Sequence, residues 1–287
     1  AEVVDELEHL RFGLRRRAYG MTGGAPGRGP AGGDPEPPAA VTRSAARLDD
    51  LLLAPIRALL GDRPVVMVPT GALHATPWTA LPTLARRPLT VAPSAHAWRR
   101  AVLAPRVDGP LLGVAGPGLL SAVAEINALR SIDPGAEILT GRAATVAAVL
   151  ARLNGAGVAN IAAHADLNAD NGMWSAVQLA DGPLTVFELE GLTRAPGLVI
   201  LSACQSGLAT VRPGDELLGL TAALLAVGAR TVIASVLPVD DDATAALILA
   251  VHARLAAGDG PAVALSRAQR AAADAAVAAS FVCFGAP

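Results

Sequence analysis

Short, unbroken apolar runs alternate along this chain with longer segments whose apolar positions recur at helical spacing. The short runs predict strands at Val65–Pro69, Leu89–Ala92, Leu111–Ala115, Glu137–Thr140, Val158–His164, Val177–Ala180, Leu198–Ala203, Thr231–Leu237 and Phe281–Phe284. The periodic segments predict helices at Ser44–Leu60, Leu119–Arg130, Ala144–Asn154, Glu216–Val227, Ala243–Ala257 and Pro261–Ala278. Runs with no polar face, such as Leu198–Leu201, suit strands buried on both sides. Strands that alternate with helices in this way imply an α/β fold around a largely parallel sheet.

The amino-terminal stretch breaks the pattern. Val3–Ala18 reads as a helix with acids early and arginines late, in agreement with the helix dipole. Gly20–Ala40 follows, rich in Gly and Pro with almost nothing to bury, and reads as a linker or extruded loop. Residues 1–19 are therefore expected to be the helical end of an upstream region, 20–40 a linker, and 41–287 one compact domain. A start without Met suggests a fragment or a processed chain, and an upstream sensor region is an expected partner.

Two strand exits carry chemistry. Leu198–Gly207 reads L-V-I-L-S-A-C-Q-S-G, so an apolar run breaks into small and polar residues just before Cys204. Val158–His164 reads V-A-N-I-A-A-H and ends on a histidine forty residues upstream of that cysteine. In open α/β sheets, ligands bind outside the carboxyl ends of the strands. Adjacent parallel strands ending in His164 and Cys204 would bring an imidazole and a thiol together there. The setting A-C-Q-S-G, with its histidine upstream, is similar to the caspase arrangement.

Composition narrows the alternatives. No lysine is present, which excludes P-loop phosphate binding, Schiff-base chemistry with pyridoxal phosphate and lysine-dependent kinase catalysis. A net charge of −2 gives no electrostatic footprint for nucleic acid. Two cysteines, Cys204 and Cys283, build no disulfide framework and have no metal-ligand spacing. No apolar run reaches membrane-spanning length: Leu217–Ala229 is interrupted by Gly219, Thr221 and Gly228. The acidic first residues do not read as a signal peptide, so a cytoplasmic location is expected.

Six blocks then add up, in order, to a family. They are P-T-G-A-L-H-A-T-P-W-T-A-L (69–81), A-A-H-A-D (162–166), L-V-I-L-S-A-C-Q-S-G (198–207), G-D-E-L-L-G-L (214–220), G-A-R-T-V-I-A-S-V-L-P-V-D-D (228–241) and A-L-S-R-A-Q (264–269). On these blocks the chain, from about Val41 to Gly285, resembles the CHAT domain, a caspase-like module often fused behind TPR arrays. The resemblance implies a caspase-hemoglobinase-like α/β/α sandwich and cysteine endopeptidase activity on protein or peptide substrates. It puts the catalytic dyad at His164 and Cys204, with backbone N–H groups of Ala165 and Cys204 as oxyanion donors. No metal or organic cofactor is required by that chemistry. Three positions depart from the usual family pattern: Ala165 stands where glycine follows the histidine, Gln205 replaces Glu, and Leu237 replaces Trp. Ala165 favours the alternative of a catalytically silent interaction module with the same fold, since a glycine there could serve a special backbone angle.

The remaining candidates each have two readings. Asp240, Asp241 and Asp242 follow a buried strand, either as an acidic pocket for Arg or Lys at P1 or as a helix start with Asp242 as its N-cap. Asp166 could border the site or simply face solvent. Asp215 and Glu216 could only cap the next helix. His74, which also follows a strand within a family block, is either a rival catalytic histidine or a structural turn residue near Trp78, while His9, His96 and His252 read as surface or turn residues. Cys283, within F-V-C-F, reads as core.

Overall fold

The computed structural model describes residues 2–18, 38–166, 174–202 and 215–287. The proposed linker lies almost wholly outside the described residues, as does Cys204. An eight-stranded sheet forms the centre, in the order β1-β2-β11-β10-β9-β5-β3-β4. Its strands are β1 (Val65–Met67), β2 (Leu89–Val91), β3 (Leu111–Ala115), β4 (Glu137–Leu139), β5 (Val158–Ala162), β9 (Leu198–Leu201), β10 (Thr231–Ser235) and β11 (Phe281–Gly285). Every neighbouring pair is parallel except β10–β11. A second, antiparallel sheet follows β5: β6 (Ala165–Asp166), β7 (Ala176–Leu179) and β8 (Gly182–Thr185).

Helices cover both faces of the main sheet. The side chains of Leu198, Ile200, Ile233 and Cys283 meet α9 (Asp241–Ala256) and α10 (Pro261–Ala271) on one face, and Leu111, Ala115 and Ala162 meet α5 (Leu120–Ile132) there. The alternate residues, Val199, Leu201, Val232 and Ala234, meet α1 (Glu2–Ala18), α2 (Pro38–Leu53), α6 (Val146–Leu153) and α8 (Asp215–Val227) in the largest core. This two-residue alternation is what a pleated strand buried on both faces requires. The result is an α/β/α sandwich around a mostly parallel sheet. Helix α1 buries Leu7, Leu10 and Leu14 in the same core and packs on α2 and α11 (Ala275–Ser280).

Several boundaries differ from the sequence expectation, for local reasons. The helix expected over Ser44–Leu60 begins earlier, with Pro38 inside its first turn, and stops at Leu53. Pro55 cannot continue it, and a separate turn, α3 (Arg57–Leu60), follows. The helix expected over Pro261–Ala278 is two, because the Asp274 carboxylate accepts from the N–H groups of Ala276 (2.8 Å) and Val277 (3.0 Å) and starts α11 afresh. The short helix α7 (Val186–Leu189) escaped the reading, although its Thr185-x-x-Glu188 capping box is a sequence signal. α4 (Ala95–Leu103), capped by Ser94, was also missed.

Candidate active site

The strands β5 and β9 are neighbours in register, with Ile161 opposite Leu201. The Ser202 N–H donates to the Ile161 carbonyl (3.1 Å), so the pairing continues past β9 itself. His164 leaves the carboxyl end of β5, half-buried, beside this exit. Its carbonyl accepts from the Gln178 N–H at 2.8 Å, which ties it to β7.

The turn from β3 into α5 closes the other side. Gly118 has φ +81° and lies so close that a Cβ there would be 3.8 Å from His164 Nε2. Gly116 is tighter still: a Cβ would stand 2.6 Å from both the Ala163 Cβ and the Gln178 carbonyl oxygen. Small residues in A-G-P-G let the β3–α5 turn press against the β5 exit.

Ala165 opens β6 opposite Val177. Among the described residues, none other than glycine has positive φ, so Ala165 sits in extended backbone that any residue adopts. The Gln178 N–H donating to the His164 carbonyl marks these two as a hydrogen-bonded pair, and such pairs alternate along an antiparallel ladder. The Ala165 N–H therefore points away from β7. Asp166 is exposed, and its carboxylate accepts from the Gln178 side-chain amide.

β10 runs parallel to β9, so Asp240, Asp241 and Asp242 arrive at the same sheet edge as His164. Asp240, not Asp242, is the N-cap of α9: its carboxylate accepts from the Ala243 N–H at 3.0 Å. Asp241 is half-buried in the first turn, and Asp242 is exposed. The side chains of Asp215 and Glu216 lie outside the described residues.

Beneath these exits lies a buried polar cluster that the sequence reading passed over. Glu125, on α5, is 4% exposed. Its Oε1 accepts from Asn160 Nδ2 and Ser202 Oγ, both at 2.8 Å, and Ser202 Oγ is 3.2 Å from Asn160 Oδ1. Burial pushes the Glu125 carboxyl up to about 7, the two hydrogen bonds oppose that, and nearby Asp241 adds like-charge repulsion. Two signals were available: Glu125 shares the helical stripe of Ala122, Ile126 and Leu129, and Asn160 interrupts an apolar strand.

The other candidates fall away from the site. Cys283 is core, as expected: it is 1% exposed on β11, and burial pushes its thiol up to about 12. His252 is not a surface residue but 3% exposed, because α9 turns that face inward; burial holds its imidazole down at about 4. His9 and His96 are exposed. His74 follows β1, which runs opposite to β5, and is half-buried in a single 3₁₀ turn. A cavity of about 260 Å³, lined by Ala97, Arg100, Leu225, Gly228 and Gly285, lies at the amino end of β10, away from His164. Among the described residues, no cluster of His, Cys, Asp and Glu could hold a metal, and no helix is long and apolar enough to cross a membrane.

Solved structures of caspase-like proteases share this architecture. Saccharomyces cerevisiae separase, in two complexes with securin, matches with TM-scores of 0.59 and 0.58 at 14% and 16% identity, over 78% of this chain. The chain spans only 15% and 16% of those separase chains. The Arg-specific cysteine proteinase gingipain R matches with a TM-score of 0.52 at 10% identity, over 98% of this chain and 74% of its own. At such identities the likeness is one of fold. No curated protein matches in sequence. The sequence profile of the CHAT domain, however, matches residues 42–285, nearly the whole span of the sheet and its helices, and on that match the chain belongs to the CHAT domain family.

Proposed function

We propose that this chain is a caspase-like cysteine endopeptidase with His164 and Cys204 as its dyad. The observation that carries the reading is the register of β5 and β9 within a CHAT fold. In sequence, His164 and Cys204 each come three positions after Ile161 and Leu201, which are paired on neighbouring parallel strands. In this scheme the Cys204 sulfur attacks a peptide carbonyl carbon and forms a C–S bond. His164 takes up the thiol proton and gives it to the departing amine. Water then attacks the thioester, His164 accepts its proton, and the sulfur leaves with a proton restored. The N–H groups of Ala165 and Cys204 serve as oxyanion donors. The outward direction of the Ala165 N–H supports its part. Its extended backbone also removes the need for glycine that favoured a silent interaction module.

Substrate choice belongs to the same proposal. Asp240, Asp241, Asp242 and Asp166 supply negative charge around the strand exits, which favours Arg or Lys at P1. Residues 1–19 are assigned to the end of an upstream sensor or TPR region, joined through the 20–40 linker, that regulates access. The buried face of α1 against α2 and α11 gives such a region a mechanical connection to the domain.

Cleavage of a peptide library covering every P1 residue tests the proposal, with Cys204→Ala and His164→Ala as controls. Turnover after basic residues, lost in both variants, is expected. Absence of turnover with the upstream region supplied, together with no Cys204 labelling by peptidyl electrophiles, overturns it.

A further inference from the structure

Helix α5 touches both halves of the proposed dyad's support. Its entry turn lies against His164 Nε2 through Gly118, and one and a half turns on it buries Glu125 between β5 and β9. Ser202 is the residue that leaves β9, two positions before Cys204. Asn160 lies on β5, four positions before His164. One carboxylate oxygen thus holds side chains from both strands at their shared exit. A structural role alone would be met more cheaply by apolar side chains, since burying a carboxyl is costly unless it is fully hydrogen-bonded.

We propose that Glu125 is a positioning residue: by binding Ser202 and Asn160 together it fixes the spacing of the two strand exits that lead to Cys204 and His164. The inference rests on the peptidase reading for its consequence in turnover, but not for its effect on the thiol.

The cluster has two proton arrangements at fixed heavy-atom positions. With Glu125 ionised, Oε1 accepts from both Ser202 Oγ and Asn160 Nδ2, and both bonds are charge-assisted. With Glu125 neutral, its O–H donates to Ser202 Oγ, and the serine hydroxyl proton turns to Asn160 Oδ1 across the longer 3.2 Å contact. The clamp is therefore tighter when Glu125 is ionised. Burial sets that change at about pH 7. The charged neighbour acting on Glu125 is Asp241, on α9; β3, β5 and β9 contribute no charged side chain within their strands. His164, just past β5, is common to every variant below.

The test is the rate of Cys204 alkylation by iodoacetamide between pH 5 and pH 9, read by mass spectrometry on the full chain. Buried Cys283 serves as the internal marker of unfolding. Glu125→Gln is expected to erase a component of the rate that rises through about pH 7. If the protein cleaves peptide, kcat falls about tenfold at pH 8 with KM unchanged. Ser202→Ala should flatten the same component while leaving the carboxyl in place, and covers the case in which Glu125→Gln labels Cys283 and so reports unfolding. Glu125→Asp, whose shorter side chain cannot reach both partners, should not rescue. A wild-type alkylation profile in Glu125→Gln or in Ser202→Ala overturns the inference. A wild type that alkylates with the Glu125-dependent step, yet cleaves nothing with the upstream region supplied and takes no peptidyl electrophile at Cys204, overturns the peptidase reading and leaves the inference standing.

Discussion

A single buried carboxyl and a single glycine bracket the candidate site. Gly118 is the residue where backbone freedom matters most, because φ +81° disfavours any side chain. Gly118→Ala should cost about 1–2 kcal/mol, seen as a lower urea midpoint, and should shift the His164 ring resonances. An unchanged midpoint would show that the turn relaxes and does not hold the imidazole. At this scale the sequence was legible where an apolar run marks a strand end: His164 stands just past β5, where its apolar run predicts. It was not legible where burial decides. Glu125 belongs to a segment that reads as amphipathic, and a carboxylate in such a segment is normally on the wet face. His252 misled for the same reason, since a lone histidine carries no sign of which face its helix buries.

Among the elements, the motif A-L-S-R-A-Q acquires a physical role. Gln269 Nε2 donates to the carbonyls of Ala278 (2.7 Å) and Phe281 (2.9 Å) and approaches Thr79 Oγ1 (3.4 Å). It fastens the end of α11 and the first residue of β11 to the P-W-T-A segment 190 positions away in sequence. Gln269→Leu takes this donor from both buried carbonyls, leaving the Ala278 carbonyl with the Phe281 N–H, and should cost about 1–3 kcal/mol. Hydrogen exchange at Val282 and Phe284 should accelerate; protection equal to wild type would mean that the β11 ladder needs no such clasp. The break between α10 and α11 was hidden from pattern reading because A-A-A-D-A-A-V-A-A has no contrast between faces. Only Asp274, as a cap, marks it. The regular elements of the sheet, by contrast, were legible nearly residue by residue, since β-branched runs buried on both faces leave little choice.

Across the whole molecule, two buried titratable groups pull stability in opposite directions. Glu125 sits at about 7 in the fold against 4.5 when free, so its contribution is present below pH 4.5 and is lost as pH rises through 7. His252 sits at about 4 against 6.5, so its contribution is full above pH 6.5 and is lost as pH falls toward 4. Each amounts to about 3 kcal/mol, and their slopes oppose each other over nearly the same interval. Urea midpoints should therefore vary little between pH 4.5 and 6.5 on account of this pair. Glu125→Gln should unmask a rise with pH, and His252→Phe a fall; midpoints that stay flat in both variants would refute the compensation.

The position of β11 also has a temporal meaning. Among the described residues it follows every other strand in sequence, yet it lies between β2 and β10 and makes the one antiparallel joint of the main sheet. A ribosome delivers β1 and β2 well before the strand that joins them to the rest. Until β11 arrives, β2 and β10 each keep an open edge, and the fastening by Gln269 has nothing to hold. On the proposed reading, the strand that leads toward Cys204 is made well before the sheet around it can close.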